Sequence, residues 1–232
     1  MTEKKTEEME EMMAEEAFSV SAPVPKNKRL ISIAGTIPGC NTPAYWLFEK
    51  FLWTLINLDK ESADPITLFI NSYGGDMDSL LYFYDFTTML KSPIYTVTNN
   101  AESAGAMMFI LGTKGYRYMF PSAHLLIHDC QITASCPDCE ESKKQKDKTW
   151  KENRLIASYN RRLVSLTDKC TGGKILKLLP DNLIKESNQE ERDLAIFTLL
   201  EEEIVLTAEE AIKYGAADYI ITPKIFDKLQ RT

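Results

Sequence analysis

From Arg29 onward the chain alternates between short apolar runs and longer segments with a helical pattern. The runs PITLFIN (65–71) and PIYTVTN (93–99) are β-branched and apolar, which is typical of buried parallel strands. Segment 43–58 has apolar residues at helical spacing, and the small and apolar run 103–112 predicts a further helix. Strands and helices that alternate with short connections predict an α/β domain with a parallel sheet.

The second half of the chain is more polar. Around a turn at PSA, the runs YRYMF and HLLIH predict two short strands. Residues 140–170 predict a long, heavily charged helix with a sparse apolar stripe, which either projects into solvent or packs on a partner subunit. The stretch IVLTAEEAIKYGAADYIIT predicts a strand, a helix and a last strand. Thr207 and Glu210 form the predicted capping box of this helix, and Gly215 its C-cap.

Bulk composition excludes several classes of protein. The 232 residues carry a net charge of −7, whereas a nucleic-acid-binding protein usually shows a basic stripe. No run reaches the roughly 18 apolar residues of a membrane span. Residues 1–28 are acidic and Met-rich and lack the apolar core of a signal peptide. We therefore expect a cytoplasmic protein with a flexible acidic arm or pro-segment, and neither a nucleic-acid nor a membrane partner.

Cysteines occur at positions 40, 130, 136, 139 and 170. Their odd number and the expected reducing compartment argue against a disulfide framework. Cys136 and Cys139 have the spacing of half a zinc site, which Cys130 and Cys170 could complete. Because no second CxxC motif is present, we expect free thiols and no metal or cofactor, with a structural zinc as the open alternative.

Three short motifs carry groups that could act together. INSYGG ends a strand in Gly74 and Gly75, whose backbone N–H groups can face an open space. AESAGA places Ser103 at a helix start, where N–H groups and the helix dipole stabilise an oxyanion. HLLIHDC places His128 at a strand end, where the sites of α/β sheets form. Each motif alone has a structural explanation, such as a helix N-cap for Ser103. Together they supply a nucleophile, a base and an oxyanion hole.

The order and spacing of these motifs are similar to those of the proteolytic subunit of the Clp protease (ClpP), a serine peptidase family with the crotonase-like fold. LFINSYGGDMDSLLYFYD resembles the family's strand, INSPGG turn and helix. NAESAGAMMFILGTKGYRYMFPSAHLLIH is similar to the segment with its serine and histidine, and LTAEEAIKYGAADYII to its C-terminal LSAxEA segment. The resemblance extends from Arg29 to Thr222. It is strong in 65–128 and 203–222 and weak in 130–200.

The resemblance implies a fold and an activity. The fold is a β-α superhelix of stacked βαβ units with a protruding handle helix. Ser103 matches the nucleophile and His128 the general base, and the backbone amides of Gly74 and Ala104 match the oxyanion hole. The implied activity is that of a serine endopeptidase that cleaves unfolded or partner-delivered proteins through an acyl-enzyme.

The third member of the catalytic triad departs from the family pattern. The family places an aspartate four residues before the Ser or Thr of the LSAxEA segment, and counting back from Thr207 gives Glu203. Glutamate can orient a histidine, as Ser-His-Glu sites in other folds do. Asp193 and Asp129 are the other candidates, and a solvated acidic run is the alternative interpretation of Glu203.

The resemblance also implies an assembly. It divides the chain into the arm, a peptidase domain at 29–222 and a C-terminal tail at 223–232, with a handle region at about 133–200. In the family the handle joins stacked rings, so we expect a homo-oligomeric ring whose ring-to-ring pairing stays open. An AAA+ unfoldase controls access to the chamber in the family. This chain has no Walker motif, so ATP dependence would come from a partner. Its divergence is compatible with a phage-encoded member.

Three other functions are compatible with the sequence. A non-catalytic subunit of a mixed ring would explain the missing aspartate. A crotonase-type acyl-CoA enzyme shares the fold, although the aligned serine and histidine argue against it. A Ser/Lys peptidase would need Lys114 as its base, about three helical turns from Ser103.

Overall fold

One sheet organises the molecule. The computed structural model describes residues 18–21, 29–130, 145–180 and 188–229. Its strands are β1 (Phe18–Ser21), β2 (Leu30–Ile37), β3 (Ile66–Gly75), β4 (Ile94–Glu102), β5 (Arg117–Ile127), β6 (Ile204–Thr207) and β7 (Tyr219–Ile220). Their order is β1-β2-β3-β4-β5-β6, and β7 pairs with β5. Strands β2 to β5 run parallel, as predicted, whereas β1 and β6 pair antiparallel to their neighbours.

Helices connect the strands. They are α1 (Tyr45–Glu61), α2 (Met77–Met89), α3 (Ala104–Ile110), α4 (Gln145–Thr171), α5 (Gln189–Glu201), α6 (Ala208–Lys213) and α7 (Pro223–Leu229), with a 3₁₀ turn at Lys174–Leu178. Asp76 caps α2 by accepting the amide N–H of Ser79 at 2.8 Å. The predicted capping box of Thr207 and Glu210 is confirmed at the start of α6, and Gly215 follows its end with φ +78°. The predicted α/β class with a parallel sheet is therefore confirmed.

The core fixes the position of helix α3. This helix is buried along its whole length and packs on β3, β4 and β5. Met107, Met108, Phe109 and Ile110 are each at most 1% exposed. Burial of such a side chain stabilises the fold by about 1.5–3 kcal/mol. The start of α3 is consequently held against the carboxyl ends of the central strands.

A buried arginine attaches the C-terminal segment to the sheet. Arg117, at the start of β5, is 1% exposed. Its guanidinium donates to both carboxylate oxygens of Asp218 at 2.9 Å and to the carbonyl of Gly215 at 2.9 Å. A buried ion pair needs this many hydrogen bonds to offset its desolvation.

Three predicted boundaries differ from the structure. Strand β1 lies within the arm predicted for 1–28, where it pairs with the backbone of β2 and so covers an open sheet edge. Helix α7 occupies most of the tail predicted for 223–232, and its Leu229 is buried. The two strands predicted around PSA are one strand, β5, whose register against β4 shifts between Thr98 and Asn100.

The long charged helix is confirmed as α4. Leu163, Val164 and Leu166 in its C-terminal half are buried in the core, so this end packs on its own domain. Two parts of the predicted handle region, at 133–144 and 181–187, lie outside the described residues. Among the helices that are described, none has both the length and the apolar character to cross a membrane.

Candidate active site

Ser103 lies at the junction of β4 and α3 in an unusual backbone conformation. Its φ is 53° and its ψ −126°, a region that non-glycine residues rarely adopt. Its amide N–H donates to the carbonyl of Leu126 at 2.7 Å, which ties the end of β4 to β5. Strained backbone of this kind costs about 1–3 kcal/mol and is concentrated at functional sites. A strained turn presents the nucleophilic serine of α/β-hydrolases.

The hydroxyl of Ser103 is not used to cap helix α3. The serine occupies the N-cap position, but its side chain makes no capping hydrogen bond. The usual structural explanation for a serine at a helix start therefore does not apply here.

The two residues predicted for the oxyanion hole contact Ser103. A Cβ built on Gly74 would lie 2.5 Å from the Cβ of Ser103 and 2.9 Å from the amide nitrogen of Ala104. The Gly74 amide N–H, however, donates to the hydroxyl of Ser72 at 3.1 Å, and that hydroxyl donates to the carbonyl of Gly35 at 2.6 Å. The Gly74 amide must leave Ser72 before it can bind a substrate oxyanion.

Replacing Gly74 by alanine tests this contact. Gly74 has φ +93°, and its added Cβ would also lie 2.8 Å from the carbonyl oxygen of Glu102. We expect Gly74→Ala to lower kcat/KM for a peptide substrate by about 10²- to 10³-fold, the effect of losing one oxyanion donor. Gly115→Ala is the matched control, since Gly115 has φ +89° and nothing within 4 Å of its added Cβ. Equal activity losses in the two variants would contradict the proposed role of Gly74.

His128 follows β5 directly, with its ring held by the main chain. Its Nδ1 lies 2.5 Å from the carbonyl oxygen of Asp129. A carbonyl oxygen only accepts hydrogen bonds, so the ring donates from Nδ1. In the neutral ring Nε2 is then the acceptor, and this is the nitrogen that takes the proton of a nucleophilic serine.

Glu203 lies beside His128 along the backbone. The β5–β6 ladder ends at the pair of Ile127 and Ile204, so His128 and Glu203 are the first residues beyond that end of the two strands. Glu203 is exposed and has φ 54°. Within the described part of the chain, the structure gives no hydrogen bond between these two side chains, because Nδ1 of His128 contacts the carbonyl of Asp129 instead.

The other two candidates for the third position lie differently. Asp193 is on helix α5, where its carboxylate accepts from the side-chain amide of Gln189 at 2.7 Å. The amide of Asp129 donates to the carbonyl of Leu200 at 3.1 Å, and Asp129 shares a cavity with His128. Asp129 therefore lies in the site, whereas the carboxylate of Asp193 accepts a hydrogen bond from a residue of its own helix.

One cavity of about 540 Å³ contains the proposed nucleophile and base. Its volume is in the range of pockets that bind small molecules or single side chains. Ser103, Ala104 and His128 are among the residues that line it. The other described lining residues are Asn41, Gly75, Asp76, Met77, Asp129, Cys130, Tyr159 and Leu163. The serine and histidine that the sequence predicts therefore lie in one cavity. The described residues give no direct hydrogen bond between them, and such bonds are often long without substrate.

The alternatives with a metal or a lysine base receive no support from the described residues. Cys40, Cys130 and Cys170 are free thiols, and no described group of His, Cys, Asp or Glu could hold a metal ion. Cys136 and Cys139 lie outside the described residues. Lys114 lines a separate cavity among tyrosines.

Sequence reasoning did not identify Ser72, Asp76 or Tyr159 as part of this site. Asp76 directly follows Gly74 and Gly75 and caps the start of α2, and this position could have identified it as part of the site from the sequence. Tyr159 reaches the cavity from α4, and its hydroxyl donates to the carboxylate of Asp78 at 2.7 Å. No sequence spacing predicts that contact, because it joins elements separated by a long stretch of chain.

Comparisons with known proteins identify the family and the fold of this chain. Residues 44–224 match the family model described as Clp protease. The ATP-dependent Clp protease proteolytic subunit 1 of Thermobifida fusca is 29% identical over 171 residues, which cover 73% of this chain and 65% of that protein, just under two thirds. Subunit 2 of Chlamydia pneumoniae is 29% identical over 167 residues, which cover 69% of this chain and 68% of that protein. A ClpP1 mutant from Listeria monocytogenes has a similar fold, with a TM-score of 0.65, 23% identity, and coverage of 87% of this chain and 94% of that one.

Proposed function

Because the chain belongs to the Clp protease family, we propose that it is a serine endopeptidase with Ser103 as nucleophile and His128 as general base. The observation that carries the proposal is the shared cavity, in which the strained Ser103 and the ring of His128 lie together. The hydroxyl of Ser103 makes no capping bond, which supports a chemical role over a structural one.

The proposed reaction has two halves. His128 accepts the proton of the Ser103 hydroxyl at Nε2 as the oxygen attacks the peptide carbonyl. The amides of Ala104 and Gly74 donate to the oxyanion of the tetrahedral intermediate, after Gly74 has left Ser72. His128 then protonates the leaving amine, and the C–N bond breaks to give an acyl-enzyme. In the second half His128 takes a proton from water, and the water oxygen attacks the acyl carbon. The ester C–O bond to Ser103 then breaks, the acid leaves, and His128 returns the proton to the Ser103 oxygen.

We assign the third position of the triad to Glu203. The β5–β6 register supports this assignment, since Glu203 and His128 are each the residue next to the last paired position, Ile204 and Ile127. Its carboxylate would replace the carbonyl of Asp129 as the partner of Nδ1 once substrate is bound. A carboxylate there stabilises the imidazolium more strongly than a neutral carbonyl, because the interaction is charge-assisted.

The proposed substrates are unfolded or partner-delivered proteins in the cytoplasm, and no cofactor takes part. The names of the relatives describe ATP-dependent proteases, which supports an ATP-hydrolysing partner for this chain, and the family resemblance implies that this partner is an AAA+ unfoldase. Exposed apolar side chains on α1 and α2 support a homo-oligomeric ring: Trp46 is 54%, Trp53 59% and Met89 80% exposed. Light scattering would then give a multiple of the 26.4 kDa chain mass.

The test is hydrolysis by the full chain of a short fluorogenic peptide and of unfolded casein. We expect turnover of the peptide without ATP, since peptide-bond hydrolysis needs only the groups of the cavity. A crotonase-type enzyme would instead bind acyl-CoA, which thermal shift measures.

A second candidate function is a non-catalytic subunit of a mixed ring. The bond between the Gly74 amide and the Ser72 hydroxyl favours it, because this bond occupies a required oxyanion donor. Assembled rings of the purified chain without turnover of either substrate would support this second candidate.

A further inference from the structure

The proposed active-site cavity has carboxylates in its walls. Asp76, at the start of α2, and Asp129, next to the base, both line it together with Ser103 and His128. No lysine or arginine is among the described residues that line this cavity. The described lining around the proposed nucleophile is therefore acidic, and Asp76 has no part in the proposed catalytic step.

The carboxylate of Asp76 is held in place and keeps capacity for a ligand. Its Oδ1 accepts the amide N–H of Ser79 at 2.8 Å, which fixes the side chain at the start of α2. An ionised carboxylate has about four acceptor positions, so this cap leaves several for a further donor. Asp76 is partly buried, where a charge-assisted hydrogen bond is stronger than in open solvent.

The carboxylates act on other groups of the same walls. Burial first, and then the charges of Asp129 and Asp76, raise the pKa of the Cys130 thiol. Burial, the bond to Asp78 and the charge of Asp76 raise the pKa of Tyr159. Each of these shifts disfavours an added negative charge in the cavity. A cation on a ligand would be stabilised by the same charges.

The apolar part of the cavity suits the stem of a long side chain. Met77 and Leu163 line it beside Tyr159. Lysine and arginine side chains bury an aliphatic stem on apolar surface while the charged end binds a polar group. A cavity with both apolar residues and fixed carboxylates would bind a lysine or arginine side chain better than a purely apolar or an acidic side chain.

We propose that this cavity selects substrates with lysine or arginine at the residue whose carbonyl Ser103 attacks, and that Asp76 is the specificity-determining residue. The proposal rests on the proposed peptidase function. The cationic end of that side chain donates to Asp76, while its stem packs on Met77 and Leu163.

The test compares two fluorogenic peptides that differ only in this residue, which is lysine in one and norleucine in the other. Norleucine has the same aliphatic stem without the ammonium group. We expect the wild-type chain to show a kcat/KM at least about tenfold higher for lysine, as a charge-assisted hydrogen bond provides. In Asp76→Asn this ratio should fall to about one. Asparagine caps a helix as well as aspartate does, so the fold should persist.

The matched control is Asp85→Asn, the same charge change on α2 at an exposed position outside the described cavity walls. It should leave the lysine-to-norleucine ratio unchanged, and the melting temperatures of both variants should match that of the wild type. A wild-type preference for norleucine, or an unchanged ratio in Asp76→Asn, would overturn this inference alone. If neither peptide is cleaved and Ser103 does not react with a fluorophosphonate, the proposed function fails and the inference fails with it.

Discussion

Ser103→Ala is expected to lower kcat/KM for peptide hydrolysis by roughly 10⁴-fold or more while leaving the fold intact. The activity falls because the acyl-enzyme cannot form without the hydroxyl, and only binding and oxyanion stabilisation remain. The fold persists because that hydroxyl makes no capping bond at α3. Alanine has the same backbone requirements at φ 53°, so the strain of the turn is unchanged.

Thr207→Ala is the contrasting control for stability. The Thr207 hydroxyl receives the amide N–H of Glu210 at 3.3 Å and so caps α6. Removing such a cap costs about 1 kcal/mol. Denaturant unfolding should show this loss in Thr207→Ala and not in Ser103→Ala. If Ser103→Ala instead lost stability and kept its activity, Ser103 would be a structural residue.

Glu203→Gln has the second-largest expected effect, a fall in kcat/KM of roughly 10³- to 10⁴-fold, as when the carboxylate of other triads is removed. The activity falls because the negative charge of the side chain is lost. Glutamine keeps the size of the side chain at this position, next to the end of the β5–β6 ladder, but has no charge to stabilise the imidazolium that forms during the reaction. Pre-steady-state hydrolysis of a fluorogenic ester would show whether acylation is the slowed step.

Three amide variants separate the candidates for this role. Glu202→Gln makes the same chemical change at the preceding exposed residue and should have wild-type kinetics. Asp193→Asn should also have wild-type kinetics, because its carboxylate binds Gln189 on its own helix. A large loss in Asp129→Asn together with wild-type activity in Glu203→Gln would transfer the third position to Asp129. The carbonyl of Asp129, which binds Nδ1 now, is unchanged in that variant.

The parallel sheet could be predicted from the sequence because its strands are buried on both faces. Runs such as PITLFIN are mostly apolar, and their short length and β-branched residues favour a buried strand over a buried helix. The capping box at Thr207 and Glu210 was predictable for a local reason, since its bonds join residues three apart. Ser103 and His128 could be placed at the carboxyl edge of the sheet because each of them follows a predicted strand along the chain.

Contacts between distant segments could not be predicted from local patterns. Strand β1 forms by pairing with β2, and the short segment itself has no signal beyond its edge position. Helix α7 depends on the burial of Leu229, which only the folded sheet provides. The shift in register near PSA was interpreted as a turn, because a bulged strand and a short turn use similar residues.

In the candidate site, too, some features could be predicted from the sequence and others depend on contacts between distant segments. The family resemblance implied that Gly74 lies beside Ser103, and a Cβ built on Gly74 would lie 2.5 Å from the Cβ of Ser103. The direction of the Gly74 amide was not predictable, because it depends on the buried hydroxyl of Ser72. The partner of His128 Nδ1 likewise depends on a single carbonyl orientation. Hydrogen-bond direction is a property of the folded backbone that residue types do not determine.

The most direct test of the central claim is reaction of the full chain with a fluorophosphonate, followed by peptide mapping. The reagent phosphonylates an activated serine hydroxyl with loss of fluoride, so it reports the nucleophile without requiring a substrate. We predict one modified residue, Ser103, with labelling abolished in Ser103→Ala and strongly slowed in His128→Ala. A folded chain that stays unlabelled, or is labelled at another serine, would contradict the account of Ser103 as the nucleophile of a peptidase.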